Sequence, residues 1–240
     1  MKLDILAFAA HPDDVELAAS GTLLAHIALG KKVGIVDLTR GELGTRGSAE
    51  LRDEEAAAST KILGIHAREN LRMRDGFFVK DEESLLKVIT MIRKYQPEIV
   101  LCNSEFDRHI DHGRAGDLVH DACFLSGLRK IETKHNGETQ SAWRPISTYH
   151  YIQDYYTKPD VIFDITPFFE QKNEAIKAFK SQFFNPDLNA NEPETPISSA
   201  DFWEFLEARA RQFGRLINVT YAEGFTVKRP IGSKDLTTLL

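Results

Sequence analysis

The run Leu3-Asp4-Ile5-Leu6-Ala7-Phe8-Ala9-Ala10-His11-Pro12-Asp13-Asp14-Val15-Glu16 decides the fold. From Leu3 to Ala10 only Asp4 is polar, the composition of a strand covered on both faces of a parallel sheet. A charged loop follows at once. From Val15 to Leu29 the residues Leu17, Gly21, Leu24, Ala25 and Ala28 recur at helical spacing, and Gly30 stands where a C-cap belongs. Lys32 to Leu38 returns to β-branched strand composition, which completes a βαβ unit.

Working outward, the alternation continues. Helices are expected from about Ser48 to Leu63, ending at Gly64, and from Asp81 to Tyr95, stopped by Pro97. Glu98 to Cys102 reads as another buried strand, followed by the polar loop Asn103 to Asp111 and a helix from about His112 to Leu125. Arg129 to Arg144 is polar and reads as a loop. Beyond it Thr148 to Ile152 and Val161 to Ile165 read as strands, and Pro167 to Phe179 and Ser199 to Ile217 as helices. Phe183 to Pro196, with three Pro and three Asn, reads as a long loop between those helices, a kind usually tied to function or an interface. Strands alternating with helices imply an α/β fold: a Rossmann-like doubly wound, mostly parallel sheet with helices on both faces. At roughly 150 residues per domain as a loose guide, the 240 residues are expected to form a single domain, residues 1–240.

Composition narrows the function. With 42% hydrophobic and 28% charged residues the chain has the balance of a folded globular protein. No window approaches the roughly 18 apolar residues of a membrane span, and the first residues lack the pattern of a signal peptide, so a cytoplasmic location is expected. Cys102 and Cys123 are distant in sequence and form no Cys-x-x-Cys pair, which reads as two buried apolar thiols in a reducing compartment. The sequon Asn218-Val219-Thr220 then has no role. A net charge of -6 disfavours a nucleic-acid partner and leaves a small molecule as the expected one.

Two clusters carry the chemistry. His11, Asp13, Asp14 and Glu16 lie at the end of the first strand, where open α/β sheets bind their ligands. One acid there would be an ordinary helix-dipole partner. A His, two Asp and a Glu behind Pro12 are not explained that way. The second cluster, Asp107-Arg108-His109-Ile110-Asp111-His112, again follows a strand, and His109 and His112 are spaced to share one side of a helix entry. Imidazole and carboxylate without thiolate suit zinc or another first-row divalent ion such as Fe2+. Three protein ligands and an open position would form a catalytic site, with a spare carboxylate to take a proton from water.

These two stretches resemble the LmbE-like, or PIG-L, family of zinc-dependent N-acetylglucosaminyl deacetylases. The resemblance extends through Asp37-Leu38-Thr39-Arg40-Gly41-Glu42, Arg52-Asp53-Glu54-Glu55 and Tyr221-Ala222-Glu223-Gly224-Phe225, and within the family it is greatest to the bacillithiol-pathway branch acting on N-acetyl-glucosaminyl-malate. It implies His11, Asp14 and His112 as zinc ligands and Asp13 as general base. It also implies that His109 steadies the oxyanion or protonates the leaving amine, with Asp111 orienting its ring, and that Arg52 contacts substrate. It implies a homo-oligomer, a trimer or hexamer, and Phe183-Phe184 and Phe202 to Phe205 are candidate segments for such an interface or simply for the core. Glu16 is expected to support the site without binding metal. Arg108 is a further candidate because arginine matches carboxylates by bidentate hydrogen bonds, although a solvated loop charge explains it equally well.

One departure stands out. Relatives bring a tyrosine to the oxyanion from a distal loop, whereas here that stretch reads Glu194-Thr195-Pro196-Ile197-Ser198. Tyr149, Tyr151, Tyr155 and Tyr156 are the candidate substitutes. Gly41, Gly44 and Gly47 lack the spacing of a dinucleotide fingerprint and are expected to shape a loop that brings Thr39, Arg40 and Glu42 toward substrate hydroxyls. No Gly-x-Ser-x-Gly elbow supports serine catalysis. The alternatives are a deacetylase of chitooligosaccharides, an inositol-linked glucosaminide or an antibiotic precursor, or a non-catalytic sugar-binding relative.

Overall fold

The computed structural model describes residues 1–183, 193–199, 201–233 and 235. In chain order the elements are β1 (Ile5–Ala9), α1 (Asp14–Ala18), α2 (Ser20–Ala28), β2 (Val33–Thr39), α3 (Ala49–Leu63), β3 (Ala67–Met73), α4 (Glu82–Tyr95), β4 (Ile99–Asn103) and α5 (Ile110–Leu125). There follow β5 (Lys134–His135), β6 (Glu138–Thr139), β7 (Ser147–Tyr151), β8 (Val161–Asp164), a 3-10 turn (Thr166–Phe168), α6 (Phe169–Lys177), α7 (Asp201–Leu216) and β9 (Ala222–Thr226).

Seven strands form one sheet in the order β3-β2-β1-β4-β7-β9-β8. Neighbours from β3 to β7 pair in parallel, and β9 alone runs against its two neighbours. The alternation of β1 explains the layering: Leu6 and Phe8 pack with Ile89 and Ile92 of α4 and Leu118 and Val119 of α5. Ile5, Ala7 and Ala9 pack on the other face with Leu23, Leu24 and Ala175 from α2 and α6. Each large buried side chain here is worth about 2–5 kcal/mol against truncation to Ala. The chain order reverses between β1 and β4, and the carboxyl ends of those two strands open the crevice that binds ligands in such sheets.

The α/β, mostly parallel fold read from the sequence is borne out, with differences that have local causes. The single helix expected from Val15 to Leu29 is divided at Ala19, whose φ of -139° leaves the helical range. The Glu223 carboxylate accepts the N–H groups of Gly21 and Thr22 and the Thr22 hydroxyl, so a residue two hundred positions away caps α2. β3 was not expected, because Arg68, Glu69 and Arg72 mask its pattern. Within Arg129 to Arg144 the turn Asn136-Gly137, with φ of 51° and 83°, joins β5 to β6, the Asn-Gly signature of a tight hairpin. Helix α7 starts at Asp201, and most of the long loop before it, including Phe184, lies outside the described residues. Cys102 and Cys123 are buried and unpaired with each other. No described helix is long and apolar enough to cross a membrane.

Candidate active site

The loops after β1 and β4 converge on one pocket of about 280 Å³, close to the lower end of small-molecule sites at roughly 300 Å³. His11, Asp13, Asp14, Arg52, Arg108, His109 and His112 all line it. The backbone is strained at its centre: Asp13 has φ 120°, a value L-residues rarely adopt. Such strain costs of order 1–3 kcal/mol and persists where surrounding contacts dictate it. Here Asp13 Oδ2 accepts from Arg52 Nη2 at 2.9 Å, and the same guanidinium donates to the Pro12 carbonyl. Arg52 comes from α3, which Ser48 caps by accepting the Leu51 N–H.

Asp14 sits between two imidazoles. Its Oδ2 lies 3.7 Å from His11 Nδ1 and its Oδ1 lies 3.2 Å from His112 Nε2. Amides fix its orientation: Asn103 Nδ2 and the His11 N–H donate to Oδ2, and Gln153 Nε2 donates to Oδ1. Each imidazole turns its other nitrogen to a second carboxylate, His11 Nε2 to Asp75 at 3.0 Å and His112 Nδ1 to Asp107 at 2.7 Å. That arrangement turns His11 Nδ1 and His112 Nε2, the nitrogens that carry lone pairs once the rings are deprotonated, to the Asp14 side, which is the pattern of metal-binding histidines backed by carboxylates. His11, His109 and His112 also form one cluster of potential ligand atoms within 4.8 Å of one another, and His11, Asp75 and Asp111 form a second. The residues present therefore fit a divalent ion at this place.

The electrostatics are coupled. Burial opposes charge on His11, but hydrogen bonds to Asp111 and Asp75 and the Asp14 charge outweigh it and push its pKa up to about 10. Burial likewise opposes charge on His112, while Asp14 and the Asp107 hydrogen bond bring it to about 9. Asp14 is buried too, yet the adjacent His112 and His11 hold its carboxyl well below the usual range. Burial lifts Asp13 to about 7 against the pull of Arg52, with the Asp14 charge adding to the rise. Burial and the charges of His11 and His112 lower His109. The Asp111 N–H donates to His109 Nδ1 at 3.2 Å, so the neutral ring carries its proton on Nε2.

Several expected residues fall elsewhere. The Asp111 carboxylate does not orient His109; it accepts from the Gly76 N–H and Arg114 and lies 3.4 Å from His11 Nε2. Two residues into the helix from His109, it faces the loop that follows β3. Thr39 is fully buried, donating to the Ala10 carbonyl and accepting the Gly41 N–H, so it fastens β2 to the end of β1 and cannot reach a substrate. Glu42 accepts the N–H groups of Asp75 and Arg40 and staples its loop, while Arg40 pairs with Asp53. Arg108 lines the pocket but pairs with Asp154 at 2.6 Å. Glu16 lies beneath the site, accepting from Ser59 and Arg68, and Arg68 also grips Asp37. Among the described residues no tyrosine lines the pocket; Ile197, Phe202, Phe205 and Leu206 form its apolar wall.

The supporting residues Asp75, Asn103 and Gln153 were not picked out from the sequence, and Asp107 was quoted in the second cluster without a role of its own. Asn103 and Asp107 had a signal, since both are polar positions just beyond a buried strand. Asp75 depended on recognising β3.

The family model described as PIG-L: GlcNAc-PI de-N-acetylase matches residues 6–123. The diacetylchitobiose deacetylase of Thermococcus kodakarensis is 29% identical over 232 residues, covering 92% of this chain and 81% of its own. The 4-oxalmesaconate hydratase of Pseudomonas putida is 28% identical over 192 residues, 74% of this chain and 73% of its own. Among solved structures, a conserved protein from Thermus thermophilus is 33% identical and superposes with a TM-score of 0.85, covering 98% of each chain. The chain belongs to the PIG-L/LmbE-like deacetylase family. Neither relative is named for N-acetylglucosaminyl-malate, so that aglycone rests on the sequence resemblance alone.

Proposed function

We propose that this protein removes the acetyl group from an N-acetylglucosaminyl conjugate by metal-assisted hydrolysis, releasing acetate and a free amine. The observation that carries the reading is the meeting of His11, Asp14 and His112 beside Asp13 in one pocket. These three side chains would hold the ion, zinc or an alternative such as Fe2+. When bound, such an ion lowers the pKa of a water molecule to about 7 and polarises an amide carbonyl.

The chain's own residues supply the rest. Asp13 takes a proton from the attacking water, and its burial, which raises its pKa to about 7, suits a base working near neutrality. The same carboxyl then returns that proton to the departing nitrogen. His109, neutral and with its proton on Nε2, donates a hydrogen bond to the oxygen that gains charge. Arg52 holds Asp13 in place. The apolar wall of Phe202 and Phe205 offers a surface for a sugar ring. Aglycones to compare are malate, from the resemblance, and a second sugar, from the diacetylchitobiose relative. A cytoplasmic homo-oligomer, a trimer or hexamer, belongs to the same reading and is tested by light scattering.

The deciding experiment measures bound metal and acetate release from N-acetylglucosaminyl-malate, diacetylchitobiose and free N-acetylglucosamine. About one ion per chain with acetate release from a conjugate is expected. Bound metal without release from any of the three, together with hydration of 4-oxalmesaconate, would transfer the site to the chemistry named for the Pseudomonas relative.

A further inference from the structure

The three ligands proposed above come from the loops after β1 and β4, yet a third loop bears on the orientation of two of them. β4 and β7 pair in parallel as far as Asn103 and Tyr151, so the segments beyond their ends run out side by side. Gln153 donates from Nε2 to Asp14 Oδ1 at 2.7 Å. Arg108 pairs with Asp154, and the Phe106 and Tyr155 rings lie 5.5 Å apart. Asp107 stands among these ties with its side chain buried.

The two oxygens of Asp107 do different work. Oδ1 accepts three backbone N–H groups, from Tyr155 at 2.8 Å, Arg108 at 2.9 Å and Asp154 at 3.2 Å. Oδ2 faces His112 Nδ1 at 2.7 Å, while His112 Nε2 faces Asp14 at 3.2 Å. An ionised carboxylate only accepts, so the proton of a neutral His112 belongs on Nδ1, and Nε2 keeps the lone pair that a metal ion needs. The three N–H groups make this assignment rigid. They hold one oxygen of Asp107 in place, and the other cannot then turn away from the ring. An amide in the same position would have its oxygen held by those three donors and its NH2 group pointed at Nδ1. A neutral ring would answer by carrying its proton on Nε2, the side on which the ion binds.

We propose that Asp107 is a positioning residue that keeps the His112 proton on Nδ1, and that the loop after β7 gives it this control by fixing its other oxygen. Asp154 and Tyr155 thereby help to set metal affinity without touching the ion. This rests on the metal-assisted reading above and needs no substrate to test.

Zinc affinity, by competition with a chelating dye, and urea unfolding in EDTA are measured on the native protein, Asp107→Asn and Asp107→Ala. Asp107→Asn keeps an acceptor for the three N–H groups but turns a donor toward Nδ1. Asp107→Ala removes the acceptor and leaves Nδ1 free to keep its proton. Asp107→Asn should therefore bind zinc at least about tenfold more weakly than the native protein, and more weakly than Asp107→Ala. Its urea midpoint should nonetheless lie above that of Asp107→Ala. A role in packing alone predicts the same order in both measurements, with Asp107→Asn the milder change; that result, or a smaller loss of zinc affinity in Asp107→Asn, overturns the proposal. Should Asp107→Ala fail to fold, the loss of zinc affinity in Asp107→Asn decides. A native protein that takes up no zinc sinks the metal reading and this proposal with it, whereas zinc uptake with the wrong order of variants sinks the proposal alone.

Discussion

Gly41→Ala isolates how the loop after β2 positions the base. Gly41 has φ +64°, and a Cβ built there would lie 2.3 Å from Arg52 Nη1 and 2.6 Å from its Cζ. The guanidinium cannot swing aside freely, because it is tied to the Pro12 carbonyl and to Asp13. Gly30 supplies the control: its φ is +77°, but a Cβ there would meet nothing within 4 Å. Both substitutions carry the left-handed backbone penalty of about 1–2 kcal/mol. Gly41→Ala also displaces a charged hydrogen bond worth about 1.5–3 kcal/mol, for a total of about 2.5–5 kcal/mol. Displacing Asp13 by even an ångström should reduce turnover by about a hundredfold. Urea unfolding and acetate release, measured on both variants, check this. Gly30→Ala should lose about 1–2 kcal/mol at unchanged turnover. Turnover of Gly41→Ala within twofold of Gly30→Ala would show that the contact with Arg52 does not position the base.

Asp13→Asn should retain metal and fold while acetate release drops by about 10²–10⁴-fold, as expected for a lost general base; elemental analysis beside the activity assay reads both. His112→Ala should lose metal, whereas His109→Ala should keep it and lose turnover, and metal loss from both would enlarge the ligand set to all three histidines. Lys172→Met leaves the Glu223 carboxylate buried without its cation and should cost about 3–5 kcal/mol in urea unfolding. His150 is fully buried, donates from Nδ1 to the Asn103 carbonyl and has no partner at Nε2, and burial holds its pKa below 6.5. The unfolded chain therefore binds its proton first, so the contribution is present above pH 6.5 and lost as pH falls below it, at up to about 1.4 kcal/mol per pH unit. His11 and His112 shift the opposite way, so the native protein must be compared with His150→Gln, whose urea midpoint should fall less between pH 7.5 and 5.5; equal falls would refute the assignment.

The central strands were legible because they are buried on both faces: β1 and β4 read as apolar runs, and the histidines and acids beyond them stood out against that background. The helices with local stop signals, α3 before Gly64 and α4 before Pro97, were legible for the same kind of reason. What escaped reading depended on distant partners. The break at Ala19 is imposed by Glu223, and β3, at the sheet edge, carries charges whose partners lie on α4 and β2, Glu69 with Lys94 and Arg68 with Asp37. Thr39 and Glu42 looked like substrate contacts because a polar loop beside a site is ambiguous in sequence. Only the fold shows that their donors and acceptors are consumed internally. Arg108 was ambiguous for an analogous reason, since only the fold shows that Asp154 pairs with it.

The site concentrates choices that a fold optimised for stability would avoid. Asp13 adopts a backbone angle unusual for an L-residue, and Asp13, Asp14, Glu16 and Asp37 are all buried near one another, so their mutual repulsion and lost hydration must be offset. Two cations divide that work, Arg52 on Asp13 and Arg68 between Glu16 and Asp37, while Lys172 takes Glu223 where it caps α2. None of them satisfies Asp14, which is left to two histidines and three amide groups. The one acid of these four without an arginine or lysine partner is the one proposed above as a metal ligand. An arginine there would cancel the charge the ion needs, whereas imidazoles supply lone pairs once deprotonated. The pairing pattern thus separates the three acids held by arginine from the one left to imidazoles and amides, a distinction that residue type alone does not make among four neighbouring carboxylates.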